Sequence, residues 1–299
     1  MDLKRPELFN EQVRILKEIH KMEISDPSES IKFLTYSNYY RFTGYAISFR
    51  EDATGKTYCP GTRFDKVKSI YQFDEELRSF LHIYLEKVEI FARTQISYWF
   101  SISRNQHPPY DAHYDEKQFY NRKQIQDIHE RLKKEESRNS DILFVQHHKH
   151  KYGDKMPLWV MVDLLSFSNL AMLYNCMYST EKTLIASGMD TVENVLKNHL
   201  LCLSKLRNKC AHYSRLYGAD VSYNPPAILP SPFLKSNPSV KNNTLFAYLL
   251  ILVKRQPTTE DKNSLSAGLI DLIKKYLCYI SFDQIGFPSD YEIILNTFR

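Results

Sequence analysis

Hydrophobic residues recur along most of this chain at the spacing of α-helices. The clearest example lies between Phe64 and Ser103, where apolar residues return every three or four positions, as on a helix with one buried face. The residues that carry this period are Ile70, Phe73, Leu77, Leu81, Leu85, Val88, Ala92, Ile96 and Trp99. Within the same segment, Asp74 precedes two glutamates and is predicted to cap a new helix after a short break. Glu89 and Arg93 lie four residues apart, so they can pair on one helix face.

The same period predicts helices before and after this segment. They cover residues 6–24, 158–177, 180–186, 191–216, 245–255, 265–279 and 290–297, together with a strongly charged helix at 117–138. Asp190 is the predicted N-cap of the helix at 191–216. Prolines at five positions between Pro225 and Pro238 predict a loop that crosses the surface.

The sequence as a whole predicts an all-α fold, because no segment longer than a few residues alternates with the period of two that marks a β-strand. We divide the chain into three parts and expect them to pack as one continuous domain. They are an N-terminal helical segment at 1–63, a helical core at 64–224 with the charged helix as an insertion, and a C-terminal helical extension at 225–299.

Composition narrows the class of protein. Of the 299 residues, 43% are hydrophobic, enough to bury a sizeable core, and only 8 are glycine, which argues against a glycine-rich phosphate loop. No apolar run approaches the roughly 20 residues that span a bilayer, and no secretory signal precedes the first helix. The 5 cysteines are scattered without a Cys-x-x-Cys pair, so we expect reduced thiols and a cytoplasmic location. The net charge of +5 is compatible with nucleic-acid binding through a local basic patch.

The segment at 206–216, LRNKCAHYSRL, places three chemically capable side chains near the end of a predicted helix: Arg207, Asn208 and His212. An arginine can clamp a phosphate through its planar, permanently charged fork. A histidine can move a proton near neutral pH. RNA carries its own nucleophile, the 2′-hydroxyl, so these groups are the minimum equipment for cutting its backbone without a metal or another cofactor.

Helix geometry places these side chains on two faces. Asn208 and His212 are one turn apart on the same face, and Arg215 extends that polar stripe. Arg207 lies about 140° around the helix from His212. One helix therefore cannot easily aim both groups at one phosphate, whereas two antiparallel copies across a two-fold axis could. The geometry makes a homodimer part of the functional hypothesis.

The expected roles follow from the groups. Arg207 would hold the non-bridging phosphate oxygens and offset the charge that grows in the transition state. His212 would act as the general base on the 2′-hydroxyl or the general acid on the 5′-oxygen, and Asn208 would orient His212 or bind the phosphate. The predicted products are a 2′,3′-cyclic phosphate and a 5′-hydroxyl. Taken alone, an Arg-x4-His spacing is common, and a merely structural histidine is the alternative.

Four blocks of sequence place the motif in a wider context. They are SNYYRFTGY at 37–45, YQFDEELR at 71–78 with Glu86, Glu89 and Arg93 after it, PLW at 157–159 with LSFS at 165–168, and LRNKCAHYSRL at 206–216. In order and spacing, across roughly residues 28–217, they resemble the Abi-like family of bacterial abortive-infection proteins (AbiD/AbiF type), a branch of the HEPN ribonuclease superfamily. The segment after Pro225 matches nothing in this pattern.

The resemblance implies a HEPN-like helical bundle, here with N-terminal and C-terminal helical extensions. It implies that Arg207 and His212 occupy the catalytic positions of an Arg-x4-6-His helix, with Asn208 as the polar residue that often follows the arginine. In this family the site is completed by dimerisation. The implied role is phage defence or toxin–antitoxin activity, and some members are paired with a structured noncoding RNA.

Other residues are candidates for binding RNA. Tyr39 and Tyr40 could stack on bases while Arg41 holds a phosphate, although these tyrosines could equally pack the N-terminal helices against the core. Arg78 and Arg93 could approach the site or be ion-paired with Glu89 and its neighbours, and ion pairing is favoured. The further candidate contacts are Lys209, Tyr213, Arg215, His147 and Lys149.

Two groups of residues could be interpreted as a metal site or as a nucleophile. His147 and His150 are spaced to ligate zinc, but no nearby cysteine or acidic cluster completes a site, so a solvated basic patch is favoured. Cys210 lies inside the motif and is expected to face the core. The charged helix at 117–138 reads as a solvated face that could also touch RNA.

The sequence leaves several functions open. The first is an endoribonuclease toxin or defence effector. The second is a non-catalytic RNA-binding protein of the same fold, since gripping and cutting a phosphate would use the same residues. A nucleotide transferase ranks lower, because neither a glycine-rich loop nor paired aspartates suited to magnesium are present. A helical adaptor would leave the polar stripe without a purpose. Nothing in the sequence points to DNA in particular or to a membrane.

Overall fold

Every regular element that the computed structural model describes is helical. The described residues are 5–51, 55–153, 155–222, 225–227 and 231–298. Across these ranges the chain forms fifteen α-helices with short 3₁₀ and π segments and no β-strand, which confirms the predicted all-α fold.

The N-terminal part contains three short helices, α1 (Phe9–Arg14), α2 (Pro27–Ser37) and α3 (Tyr39–Tyr45). A π-helix, Ile15–Ile19, continues α1, so the predicted helix at 6–24 is shorter at both ends. Asn38 caps α3, because its side chain accepts a 2.9 Å hydrogen bond from the N–H of Tyr40. This cap turns the chain sharply between α2 and α3 and sets the direction in which α3 presents its side chains.

The long helix α4 (Phe64–Arg104) organises the rest of the molecule. It runs for 41 residues without interruption, so the predicted break at Asp74 is wrong. Its apolar stripe is buried, and Asp74 lies on that stripe as a buried residue of the helix interior. At 1.5 Å per residue, α4 is about 60 Å long. It is therefore long enough to contact the N-terminal helices, the motif helix and the C-terminal helices in turn.

The middle of the chain contains six helices. They are α5 (Arg122–Arg138), α6 (Leu143–Tyr152), α7 (Leu158–Met161), α8 (Phe167–Cys176), α9 (Ser179–Gly188) and α10 (Glu193–Ala211). The predicted helix at 158–177 is split, since a 3₁₀ turn follows α7 and Ser166 then caps α8 by accepting from the N–H of Asn169 at 3.2 Å. α10 begins after Val192 rather than at the predicted cap Asp190, and it ends well before the predicted boundary at residue 216.

The C-terminal part contains α11 (Ser231–Ser236), α12 (Leu245–Lys254), α13 (Thr259–Tyr276), α14 (Phe282–Ile285) and α15 (Tyr291–Thr297). α11 lies within the predicted proline-rich loop, of which residues 228–230 are outside the described residues. α12 is buried from Leu245 to Val253 and packs against both α10 and α4. The C-terminal extension therefore supplies a helix of the core.

Packing around α4 and α10 unites these parts. α10 contacts α8, α4, α9 and α12, while α13 and α3 contact α4. The buried hydrophobic residues form one cluster that extends from Val13 to Leu295. Among the described helices, none combines the length and the apolar character that crossing a bilayer demands.

Candidate functional site

The C-terminal end of α10 carries the predicted motif and closes in a turn of the Schellman type. The N–H of Tyr213 donates to the carbonyl of Cys210 at 3.2 Å, and the N–H of Ser214 donates to that of Lys209 at 2.8 Å. This closure puts Tyr213 in the left-handed region with a φ of 54°. For residues other than glycine that conformation costs about 1–2 kcal/mol, so contacts from elsewhere must stabilise the turn.

The early end of α10 interrupts the predicted polar stripe. Asn208 and His212 are still one turn apart, and the His212 N–H donates to the Asn208 carbonyl at 2.9 Å. Arg215 lies beyond the turn, where its guanidinium donates to the carbonyl of Gly44 in α3. The prediction that one helix face aligns all three side chains is therefore wrong for Arg215, which faces α3.

Arg207 lies on the face of α10 that packs against α4. Its Nε is 3.1 Å from Oε2 of Glu89, and 30% of its side chain is exposed. Glu89 is buried and also accepts, through Oε1, a 2.6 Å hydrogen bond from Nη2 of Arg93. Such charge-assisted contacts are stronger than neutral hydrogen bonds. One carboxylate thus holds two guanidiniums, which fixes the direction of Arg207, and a second carboxylate, Asp163, lies 3.9 Å from Nε of Arg93.

The third sequence block supplies further contacts to this cluster. Nη2 of Arg93 donates to the carbonyl of Leu165 at 2.6 Å, and Nδ2 of Asn208 donates to Oγ of Ser168 at 3.3 Å. The side-chain oxygen of Asn208 also accepts from Nη1 of Arg207 at 3.4 Å. The structure thus places Asn208 beside the arginine of the motif, whereas the sequence had suggested that it orients His212 or binds the phosphate.

His212 is the C-cap residue of α10, and its side chain is exposed. Arg207, five residues earlier, contacts α4 instead, so the two side chains leave α10 on different sides, in keeping with a separation of about 140°. Neither side chain is part of the hydrophobic core. Both are accessible to a ligand that reaches this end of the helix.

Cys210, between these residues, is 5% exposed, and burial raises the pKa of its thiol to about 12. The prediction that Cys210 faces the core is confirmed. A thiol with such a pKa is protonated at neutral pH, which argues against nucleophilic chemistry at this position.

Asp74 anchors the chain that follows the helix end. Its carboxylate accepts from the backbone N–H groups of Leu216 at 3.1 Å and Tyr217 at 2.7 Å, and from the Tyr45 hydroxyl at 2.6 Å. It also pairs with the guanidinium of Arg78. Burial raises the pKa of the Asp74 carboxyl, and the guanidinium and these donors act against that shift. The network is the tertiary contact that holds the turn after α10 in place.

Sequence reasoning missed this network. It treated Asp74 as a helix cap and offered Arg78 either as an RNA contact or as part of an ion pair. In the structure Arg78 is 5% exposed and ion-paired, and its partner is Asp74. One signal was available. Both charged residues fall on the apolar stripe of α4, one turn apart, and charges in that position are rarely left unpaired.

The first sequence block contacts the helix end from the other side. The guanidinium of Arg41 donates to the carbonyl of Tyr213 and lies 5.8 Å from the centre of the Tyr71 ring. Together with the bond from Arg215 to Gly44, this contact ties α3 to the turn after α10. Residues from each of the four blocks therefore meet at the C-terminal end of α10, and in the third block these residues are Leu165 and Ser168.

Three neighbouring cavities surround this end of the helix. One, of about 530 Å³, is lined by α3 and contains Tyr39, Tyr40 and Arg41. The second, of about 780 Å³, shares Arg41 with the first and is bordered by Tyr213. The third, of about 380 Å³, contains Arg207, Glu89 and Arg93 and shares His82 with the second. The first and second cavities share Arg41, the second and third share His82, and we refer to the three together as the depression.

The remaining predicted contacts lie at different distances from this depression. Lys209 is half-buried on α10, and Tyr213 is 70% exposed. His147 is exposed and Lys149 half-buried on α6, and neither lines the three cavities. Among the described residues, no group of three or more histidine, cysteine, aspartate or glutamate side chains is placed to hold a metal ion.

These observations define an all-α protein whose four marked sequence blocks converge at one helix end. The family model described as Abi-like protein matches residues 32–218, which include all four blocks. The chain belongs to this Abi-like family, and membership suggests a role in abortive infection, a form of phage defence. No curated protein and no solved structure matches the chain significantly.

Proposed function

We propose that the chain is a metal-independent endoribonuclease of an abortive-infection or toxin–antitoxin system, with a HEPN-like fold of the AbiD/AbiF type. One observation carries this proposal. The four blocks converge where Arg207 is half-exposed on a buried carboxylate and His212 is exposed at the helix end. A guanidinium held by a carboxylate and an exposed imidazole at the same end of α10 are groups that RNA cleavage by its own 2′-hydroxyl requires.

The proposed reaction is an internal transfer within RNA. A His212 imidazole accepts the proton of the 2′-hydroxyl while O2′ forms a bond to phosphorus. The bond between phosphorus and O5′ then breaks, and O5′ takes a proton from a water molecule, whose hydroxide is neutralised by the protonated imidazole. The products are a 2′,3′-cyclic phosphate and a 5′-hydroxyl. Arg207 keeps its Nε on Glu89 and directs its terminal nitrogens to the non-bridging oxygens, where negative charge grows.

The proposal includes a homodimer, because Arg207 and His212 leave α10 on different sides. A second copy related by a two-fold axis would bring the histidine of one chain to the arginine of the other. Mixing the inactive variants Arg207→Ala and His212→Ala tests this arrangement. In a mixed dimer one of the two composite sites has both residues, so cleavage should return to a substantial fraction of the wild-type rate. If each site uses one chain alone, the mixture stays inactive.

The decisive experiment follows the chemistry of the ends. The purified protein is incubated with cellular RNA in excess EDTA, and new 2′,3′-cyclic phosphate and 5′-hydroxyl ends are mapped by sequencing. We expect ends that depend on His212 and disappear in His212→Ala. The matched control is His107→Ala, which removes another exposed histidine and should leave the ends unchanged. Cleavage that requires a divalent ion, or that persists in His212→Ala, would contradict the proposal.

The alternative is a non-catalytic protein that holds a cognate structured noncoding RNA. It is favoured if a single abundant RNA co-purifies intact and stays intact during long incubation, with an affinity that falls steeply with salt. A noncoding RNA that instead restrains an active nuclease is the form of control we propose. Its removal should then release the cleavage activity. The proposed site of action is the cytoplasm, where target transcripts are present.

A further inference from the structure

The cavity of about 530 Å³ beside α3 is rich in aromatic rings. Its size falls within the range of about 300–1,000 Å³ that is usual for small-ligand sites. The aromatic residues that line it are His20, Tyr39, Tyr40, Tyr45 and Tyr58. Rings of this kind offer flat faces on which a nucleobase can stack, and such stacking tolerates any base.

The same cavity carries positive charge. Three arginines line it, Arg41, Arg50 and Arg215, and none of the described residues that line it is an aspartate or glutamate. The guanidiniums of Arg41 and Arg215 are held by backbone carbonyls, which fixes their position without neutralising them. Aromatic faces next to fixed guanidiniums suit a ligand that combines a planar ring with a phosphate.

The inner wall of the cavity includes a buried ring, and an exposed ring lies at its rim. Tyr58 is buried, and His20 packs edge-on against it with 6.0 Å between ring centres. Burial raises the pKa of Tyr39 to about 12, so its hydroxyl is a neutral donor at physiological pH. Tyr40, in contrast, is 86% exposed. A base that enters would meet fixed rings on the inside and one freely placed ring at the mouth.

The cavity leads towards the predicted cleavage site. It shares Arg41 with the second cavity, whose wall includes Ala211 and Tyr213, the residues on either side of His212. His212 lines neither cavity, so a strand whose base occupied the first cavity would pass Arg41 and the exposed Tyr213 to reach the exposed imidazole. A duplex could not do this, because its bases are stacked and paired inside the helix.

We propose that the aromatic cavity binds one unpaired nucleobase of an RNA strand whose backbone continues past Arg41 to His212. This inference rests on the proposed function and names its substrate class, RNA that is single-stranded next to the scissile phosphate. The shared chemistry, a base with a phosphate, could also come from a free nucleotide. The test therefore compares the two sources directly.

Binding is measured by fluorescence anisotropy in the His212→Ala background, so that cleavage does not interfere. The probes are a labelled single-stranded RNA octamer, the same octamer in a duplex, and adenosine monophosphate as a competitor. We expect the octamer to bind more tightly than the duplex, and millimolar nucleotide to compete only weakly. Tyr40→Ala should weaken octamer binding by about 5- to 150-fold, the range for loss of one stacked base.

Two further variants localise the effect. Tyr40→Trp keeps a stacking ring and should restore octamer binding. Tyr120→Ala removes a tyrosine that is 73% exposed and lines none of the three cavities, so binding should be unchanged. Ultraviolet cross-linking of an octamer that contains 5-bromouridine should label the peptide that includes Tyr39 and Tyr40.

The outcomes separate this inference from the nuclease proposal. If wild-type protein cleaves RNA while Tyr40→Ala binds and cleaves normally, the base cavity is wrong and the nuclease stands. If no RNA is cleaved but Tyr40→Ala loses octamer binding, the nuclease is wrong and the base cavity stands. A nucleotide that displaces the octamer at micromolar concentration would make the cavity a site for a free nucleotide and would overturn the inference.

Discussion

Two ion pairs on α4 share the same sequence spacing and differ in their surroundings. Asp74 with Arg78 and Glu89 with Arg93 are both carboxylate–guanidinium pairs at positions i and i+4. Both contact the C-terminal part of α10 or the turn after it. They lie fifteen residues apart, or about 22 Å along the helix. The first pair is closed off from solvent, whereas the second accepts Arg207, a third partner that is 30% exposed.

The difference lies in what the carboxylates bind. Asp74 has its acceptors occupied by two backbone N–H groups, a tyrosine hydroxyl and its own arginine, so it locks the chain and presents nothing outward. Glu89 holds side chains, and one of these, Arg207, reaches the depression. The same local motif thus serves as a structural lock at one end and as a support for a candidate catalytic group at the other.

The largest expected effect comes from removing the Asp74 carboxylate, which holds the chain that follows α10. Asp74→Ala leaves the buried Arg78 without its carboxylate and frees two backbone N–H groups, which should lower the free energy of unfolding by about 3–5 kcal/mol. Urea denaturation followed by circular dichroism measures this loss. Glu86→Ala, which removes an exposed carboxylate from the same helix, is the control. If Asp74→Asn and Asp74→Ala both unfold at the wild-type midpoint, the carboxylate is not a lock.

Removing Arg207 should have the opposite effect, with a large loss of RNA cleavage and a small loss of stability. Arg207→Ala is expected to reduce RNA cleavage by about 10²–10³-fold, as when one oxyanion donor is lost. Its unfolding free energy should change by less than about 1 kcal/mol, because Glu89 keeps its contact with Arg93. Cleavage kinetics and urea denaturation on the same preparation measure both quantities, with Lys197→Ala on α10 as the control. Equal losses of stability in Arg207→Ala and Asp74→Ala would erase the distinction between the pairs.

A buried histidine on α10 adds to this comparison, because its burial makes the stability of the protein depend on pH. Burial lowers the pKa of His199 to about 4, below its usual 6.5, while its ring nitrogen contacts the carbonyl of Ala227 at 2.8 Å. The unfolded chain then binds a proton more readily between these values. Stability is fully present above pH 6.5 and falls by up to about 3 kcal/mol as the pH drops to 4 and below.

The measurement for this prediction is the urea midpoint as a function of pH. His199→Gln retains a donor but cannot be protonated, so its stability should depend less on pH over that window than that of the wild type. His107→Gln, at an exposed position, should follow the wild-type curve. Parallel curves for wild type and His199→Gln would show that this histidine is not the group that titrates.

The smallest effect is expected from a substitution that weakens the ion pair between Glu89 and Arg207 without removing either side chain. Glu89→Gln removes the negative charge and keeps an oxygen that can accept from Arg207. RNA binding should tighten by less than about tenfold, since the depression becomes more positive, while cleavage falls because Arg207 is held less firmly. Anisotropy and cleavage assays on the same RNA, each at two salt concentrations, measure both changes. Weaker binding in Glu89→Gln would indicate that the carboxylate does more than orient the arginine.

Much of the fold follows from local pattern. The helical period located α4 and α12 to within a few residues and α10 and α13 less closely, since an apolar stripe at this spacing is a property of each segment alone. The spacing of Glu89 and Arg93 also predicted their pairing correctly. The predicted break in α4 failed because Asp74 followed by glutamates looks like a cap whether or not the helix continues through it.

The candidate site was only partly predictable. Sequence identified Arg207, Asn208 and His212 as a motif, but it did not indicate that Glu89 holds the arginine or that Ser168 contacts the asparagine. Those partners are distant in the chain and were brought together by the packing of α8 and α4 on α10. His20 and Tyr58, which line the aromatic cavity, carried no sequence signal at all.

The sequence by itself determined that the chain is helical, which faces are apolar, and that it belongs to the Abi-like family, because these properties depend on residue types and their spacing. Tertiary structure alone decided where α10 ends. The local apolar pattern favours a longer helix. Ending it requires Tyr213 to adopt a left-handed conformation, which costs free energy. Asp74 and Arg41 bind the backbone beyond and within that turn, and their combined hydrogen bonds outweigh the local cost. The position of His212 is therefore fixed by residues more than a hundred positions away.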